Sequence, residues 1–144
     1  MFSLIFPGQG SQLVGMGKEF YEKYDLVKEL FNEADDTLKF SLSKMVLNGP
    51  KDELDLTINT QPAIFLVSFS IFSVIKKEFN KDLNQAKYFA GHSLGEYSAL
   101  SSAGYLSFSD TIKLLRLRGE AMQNAVPKGE GGMLAVLGSS IVTI

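Results

Sequence analysis

The chain has 144 residues, 45% of them hydrophobic and 21% charged, which suits one soluble globular domain with a core of its own. Its 14 basic and 16 acidic side chains give a formal charge of -2, so there is no basic excess for a nucleic acid or an acidic membrane surface. Cysteine is absent, which excludes disulfides, thiolate metal sites and a cysteine nucleophile, and fits a reducing, cytoplasmic compartment.

The N-terminus, Met1-Phe2-Ser3-Leu4-Ile5-Phe6-Pro7, has no basic leader region and only a short apolar run, so it predicts no export signal. Leu4-Ile5-Phe6, closed by Pro7-Gly8, predicts a buried strand feeding a loop that Gly8, Gly10, Gly15 and Gly17 make permissive in backbone. Leu26, Val27, Leu30, Phe31, Ala34 and Leu38 then recur at helical spacing behind Asp25, a candidate cap, and predict an amphipathic helix from about Asp25 to Lys39. Asn48-Gly49-Pro50 punctuates the chain. A second helix is expected from Thr60 or Pro62 to about Phe79, because Thr60 can cap, Pro62 suits a first turn and no breaker follows. Its most apolar part, Ala63 to Ile75, is shorter than the roughly 20 residues of a membrane span, so it reads as a buried helix and no membrane partner is expected.

Lys87-Tyr88-Phe89-Ala90 is β-prone and runs straight into Gly91-His92-Ser93-Leu94-Gly95 and the helix-compatible Glu96 to Leu100. Ser107 with Asp110 resembles a capping box and opens a helix to about Ala125, ahead of Pro127. Val126 to Gly132 reads as a linker, and Met133 to Leu137 as the beginning of a further strand. Helices alternating with buried strands indicate an α/β fold with a mainly parallel sheet. Two strands before the linker would leave that sheet incomplete, with open edges.

Gly91-His92-Ser93-Leu94-Gly95 fits G-x-S-x-G, in which glycines relieve crowding at a sharp strand-to-helix turn and leave the serine hydroxyl exposed as a nucleophile. The bland alternative is a surface turn in which Ser93 only caps the next helix. The two are compatible, because the helix N-terminus also presents N–H groups to a developing oxyanion. The Pro7-Gly8-Gln9-Gly10-Ser11-Gln12 loop fits neither phosphate pattern: a Walker loop needs glycine at Gln12 and Ser or Thr at Glu19, and a dinucleotide loop needs glycine or alanine at Leu13. Such a loop can instead offer a backbone N–H to an acyl-transfer centre.

PGQGSQ at residues 7–12, TQPA at 60–63, GHSLGEYSAL at 91–100 and RGEAM at 118–122 together resemble the malonyl-CoA:acyl carrier protein transacylases, in the family's order. The resemblance covers essentially the whole chain. It implies an incomplete α/β-hydrolase-like parallel-sheet subdomain over residues 1–126, and over 127–144 a linker with the first strand of a small ferredoxin-like subdomain. It implies Ser93 as acyl-accepting nucleophile, the backbone N–H groups of Gln9 and Leu94 as oxyanion hole, and Arg118 as partner of the malonyl carboxylate, a task for which a guanidinium's paired donors are suited. Gln61 and His92 match positions that line or support that site. Helix capping is an alternative for Gln61, a solvated helix surface is the alternative for Arg118, and Arg116 is expected to be solvated.

His92 is the sequence's only histidine. Neighbours on a sharp turn point their side chains apart, so it is not expected to be the base for Ser93. The family's catalytic histidine comes from later in the chain, beyond residue 144, and this chain alone is expected to be inactive. The implied reaction passes malonyl from malonyl-CoA through a Ser93 ester to the phosphopantetheine thiol of acyl carrier protein in fatty acid biosynthesis, with no metal or redox cofactor, by an enzyme that is monomeric when complete. A polyketide-type acyltransferase, a serine hydrolase sharing only the elbow, and a truncated, non-catalytic remnant remain as alternatives. A methylmalonyl donor carries the same carboxylate.

Overall fold

A computed structural model describes residues 1–79, 81–126, 130 and 138 of the chain. The strand expected over 133–137 lies outside the described residues, and so, apart from residues 126, 130 and 138, do the expected linker and small subdomain. Strand β1 (Ser3–Phe6) is followed by α1 (Lys18–Lys23), α2 (Asp25–Leu38), α3 (Leu42–Asn48), α4 (Lys51–Leu54) and the long α5 (Thr57–Glu78). A 3₁₀ turn at Leu83–Gln85 leads to β2 (Tyr88–Gly91), α6 (Leu94–Ser102) and α7 (Phe108–Asn124). The two strands pair in parallel, Ser3 opposite Tyr88 and Phe6 opposite Gly91, giving the mixed α/β architecture expected.

Helix α5 is the hub. It is long and apolar enough to cross a bilayer, yet 67% of its most apolar stretch is buried within the fold. Phe65 stacks on Phe108 of α7 with ring centroids 5.4 Å apart, and Phe31, Leu66 and Ile112 are fully buried around it. Each such side chain contributes about 1.5 to 3 kcal/mol of transfer free energy. A second, smaller cluster of Phe6, Phe72, Leu83 and Ala99 fastens the sheet to α5 and α6. Alternation along β1 and β2 places Phe6, Leu4 and Phe89 on that packed face, while Ile5 and Tyr88 point to the other face and are exposed.

Several boundaries differ from expectation for local reasons. Tyr24 rather than Asp25 occupies the N-cap of α2, and the Asp25 carboxylate instead accepts from Lys28 Nζ at 2.8 Å, the i,i+3 partner within the first turn. Helix α5 starts at Thr57, so Thr60 does not cap it; its hydroxyl donates to Leu54 O at 2.6 Å and ties α5 to α4. Pro62 consequently sits inside the helix rather than in its opening turn. Ser107 caps α7 as expected, accepting from the Asp110 N–H at 3.0 Å, and its hydroxyl donates to Asp110 Oδ2 at 2.7 Å in place of the capping box's second, backbone bond.

Candidate active site

Strand β2 delivers the chain to the elbow, where Ser93 adopts φ 57° and ψ -111°, a left-handed backbone unusual for a residue with a side chain. Such a conformation costs of order 1 to 3 kcal/mol and persists only when its surroundings impose it. The surroundings here are backbone. A Cβ on Gly91 would lie 1.9 Å from the Gly95 carbonyl carbon, and a Cβ on Gly95 would lie 2.5 Å from Phe6 O, so both glycines of G-x-S-x-G are required by close approach.

Ser93 stands at the N-cap of α6 but its side chain makes no capping hydrogen bond. Arg118 Nη2 donates to Ser93 Oγ instead, at 3.0 Å. The second arm of the same guanidinium, Nη1, donates to Gln61 Oε1 at 2.6 Å, and Gln61 Nε2 reaches Met122 Sδ at 3.3 Å. The ring of Tyr97 lies 5.8 Å from the Arg118 guanidinium carbon, within cation–π range. Gln61 is fully buried in the interior of α5, which disposes of the capping alternative; Ser93 and Arg118 are half-buried and open to a ligand.

The fold thus brings Ser93, Arg118 and Gln61 together from the N-cap of α6, from α7 and from α5. Tyr97 and Met122 join them without having been anticipated. The signal was there in the spacing: Tyr97 is four residues after Ser93 and Met122 four after Arg118, and i,i+4 residues share a helix face. Both lie inside the motif blocks already singled out.

Leu94 is the first residue of α6, so its N–H has no partner within the helix. Gln9 is exposed on the loop after β1, its side-chain Nε2 donating to Thr57 Oγ1 at 3.2 Å. That loop abuts the elbow, since a Cβ on Gly8 would fall 2.6 Å from His92 Nδ1. Gln12 shapes the loop by accepting from Gly10 N at 2.8 Å and donating to Asp55 Oδ1 at 3.0 Å. His92 is exposed, and among the described residues no hydrogen bond joins its ring to Ser93.

Arg116 departs from its expected solvated fate. It is half-buried, its guanidinium carbon 4.5 Å from the centre of the Phe40 ring, and it donates to Asn59 Oδ1 and, at 3.3 Å, to Ile58 O. Burial lowers its pKa from the ordinary arginine value, with the Glu120 carboxylate opposing that shift.

The acyl transferase domain model matches residues 3–142. The chain belongs to the acyl transferase domain family. The malonyl CoA-acyl carrier protein transacylase of Bacillus subtilis strain 168 is 49% identical over 136 residues, which are 94% of this chain and 42% of that protein. The crystal structure of an acyl-carrier-protein S-malonyltransferase from Bartonella henselae superimposes with a TM-score of 0.83 at 46% identity, covering 88% of this chain and 41% of the other. A malonyl-transacylase solved in complex with its type II polyketide synthase acyl carrier protein gives a TM-score of 0.81 at 44% identity, over 89% of this chain and 40% of that one. The chain therefore spans about two fifths of the length of the curated relatives it matches. The solved Bartonella henselae structure matches this chain's fold over 88% of the chain's length.

Proposed function

We propose that this chain is the nucleophile-bearing part of a malonyl-CoA:acyl carrier protein transacylase that acts in fatty acid biosynthesis in the cytoplasm. Ser93 Oγ attacks the malonyl thioester, the CoA thiolate departs, and the thiol on the phosphopantetheine arm of acyl carrier protein then takes the malonyl group from the serine ester. The backbone N–H groups of Gln9 and Leu94 meet the oxyanion that forms at the attacked carbonyl. No metal or redox cofactor is needed. The observation that carries this reading is the Arg118 guanidinium, placed 3.0 Å from Ser93 Oγ and braced by buried Gln61. A donor pair fixed beside the nucleophile suits an acyl group that ends in a carboxylate, and a plain ester substrate would leave that charge unanswered. The hydrolase-like large subdomain and ferredoxin-like small subdomain belong to the same reading, as does a monomeric whole enzyme.

The base for Ser93 comes, on this reading, from a histidine outside these 144 residues, because His92 adjoins the serine without bonding to it. Missing base catalysis alone slows such transfers roughly 10²- to 10⁴-fold, so the isolated chain is expected to be a poor transferase. The test uses this chain completed to the relatives' length with the C-terminal part of the Bacillus subtilis relative. Incubation with malonyl-CoA should give a malonyl adduct by intact mass, and a persistent adduct in Ser93→Ala would remove Ser93 from the role. Arg118→Ala should weaken use of malonyl-CoA over acetyl-CoA by on the order of 2 to 5 kcal/mol, the cost of leaving a buried charge unpaired; equal losses for both donors would leave Arg118 a structural role only.

Similarity to a transacylase solved with a polyketide carrier favours a second reading, in which the acceptor serves polyketide synthesis. Offering both carrier types to the completed protein and comparing kcat/KM separates the two.

A further inference from the structure

Pro62 has no N–H, so the carbonyl of Ile58, four residues earlier in α5, loses the helical hydrogen bond it would otherwise accept. That carbonyl is not abandoned: Arg116 Nη1 donates to it from α7 at 3.3 Å. The same nitrogen donates to Asn59 Oδ1, and Asn59 Nδ2 in turn donates to Glu53 O at 2.8 Å. The guanidinium plane is backed by the Phe40 ring. We propose that Arg116 is a positioning residue whose guanidinium replaces the hydrogen bond Pro62 removes from α5, and so fixes α7 at the height that puts Arg118 on Ser93.

A third contact makes that height critical. Gly119 presses α7 against the same turn of α5, where a Cβ would fall 2.7 Å from both Thr57 O and the Ile58 Cα. The backbone approach at Gly119 leaves α7 no room to move inward, but nothing in it stops the helix from sliding or tilting away. Arg116 supplies that restraint, reaching Ile58 and Asn59, while Arg118 reaches Gln61 and Ser93. Loss of the restraint moves the Arg118 guanidinium, and a displacement of about 1 Å is enough to cost a positioned group much of its effect. The pairing also accounts for a proline within a buried helix, because a donor on the neighbouring helix answers the carbonyl that the proline frees. The consequence for donor selection rests on the role proposed above for Arg118; the positioning itself does not.

The experiment is a cycle in the completed protein: Arg116→Met and Arg116→Lys, each in the parent and in Pro62→Ala, which restores an N–H for Ile58 O. The first readout is the rate at which phenylglyoxal modifies Arg118, followed by peptide mass spectrometry, and it requires no catalysis. Arg116→Met should expose Arg118 and raise that rate about tenfold in the parent, but by no more than about twofold in the Pro62→Ala background, the pattern of directly coupled neighbours. Arg116→Lys, which keeps one charged donor and guards against a variant that fails to fold, should fall between. Preference for malonyl-CoA over acetyl-CoA should decline in the same order. An unchanged Arg118 rate in Arg116→Met, or equal changes in both backgrounds, would overturn the proposal. Should the labelling follow the expected order while the parent itself shows no preference for malonyl-CoA, the positioning stands and the reading of Arg118 as carboxylate partner falls.

Discussion

The C-terminal end of the short sheet and the face it turns away from α5 are built to different standards. At the C-terminal end of the strands, Gly91, Gly95 and the first loop interlock so closely that no methyl group fits, and Ser93 is held off its preferred backbone. On the sheet face turned away from α5, Ile5 is 80% exposed and Tyr88 58% exposed. The difference teaches where the site's precision originates. Ser93, Arg118 and Gln61 are fixed by backbone contacts at the elbow and by the polar seam between α5 and α7, all internal to the described residues.

Gly91→Ala should show the contrast at its largest. Its Cβ would meet the Gly95 carbonyl carbon at 1.9 Å, so relief requires moving backbone, and the loss should be about 3 kcal/mol or more in urea unfolding. Ile5→Thr, on the face that is open in the 144-residue chain, should stay within about 0.5 kcal/mol when the same chain is unfolded. Comparable losses at the two positions would break the comparison. Ser93→Gly sharpens it from the other side: glycine accepts the elbow's backbone without strain, so stability should rise by about 1 kcal/mol while acylation disappears. A Ser93→Gly protein that is less stable than the parent would mean that the side chain, through its bond from Arg118, contributes more than the backbone strain costs.

Much of this was legible in the sequence. Both strands, the strand–turn–helix around Ser93, the N-cap at Ser107 and the span of α2 follow from local patterns, and local forces decide them. The elbow was readable because its glycines are demanded by geometry that any such turn must satisfy. What could not be read were the decisions made across the fold. Pro62 inside α5 looked like a first-turn residue because its compensation comes from Arg116 on a distant helix, and Arg116 looked solvated because nothing in its own helix announces Phe40 or Asn59. Met122 and Tyr97 were hidden differently: their spacing from Arg118 and Ser93 gave the right faces, but only the crossing of α5, α6 and α7 turns two faces into one site.

The smallest expected effect concerns the loop that carries Gln9. Asp55 accepts from Lys51 Nζ and from Gln12 Nε2, and Gln12 in turn accepts from Gly10 N, so the carboxylate anchors the loop to the turn after α4. The hydrogen bond from Lys51, and then that from Gln12, hold the Asp55 carboxyl below the ordinary aspartate value of 3.8. A carboxyl depressed in the folded state binds its proton more tightly when unfolded, so it adds stability above the unfolded value and loses that contribution as pH falls through the lower, folded one. The substitution Asp55→Asn imitates the protonated acid. The melting temperatures of the parent and Asp55→Asn should therefore differ by a constant amount above about pH 5, converge as the pH drops below about 4, and meet in stronger acid. Because the pair lies at the surface, salt should shrink the plateau, and the elbow should be unaffected throughout. An Asp55→Asn protein that melted above the parent on the plateau would show that the charge strains the loop, and Gln9 would then owe its place to the backbone alone.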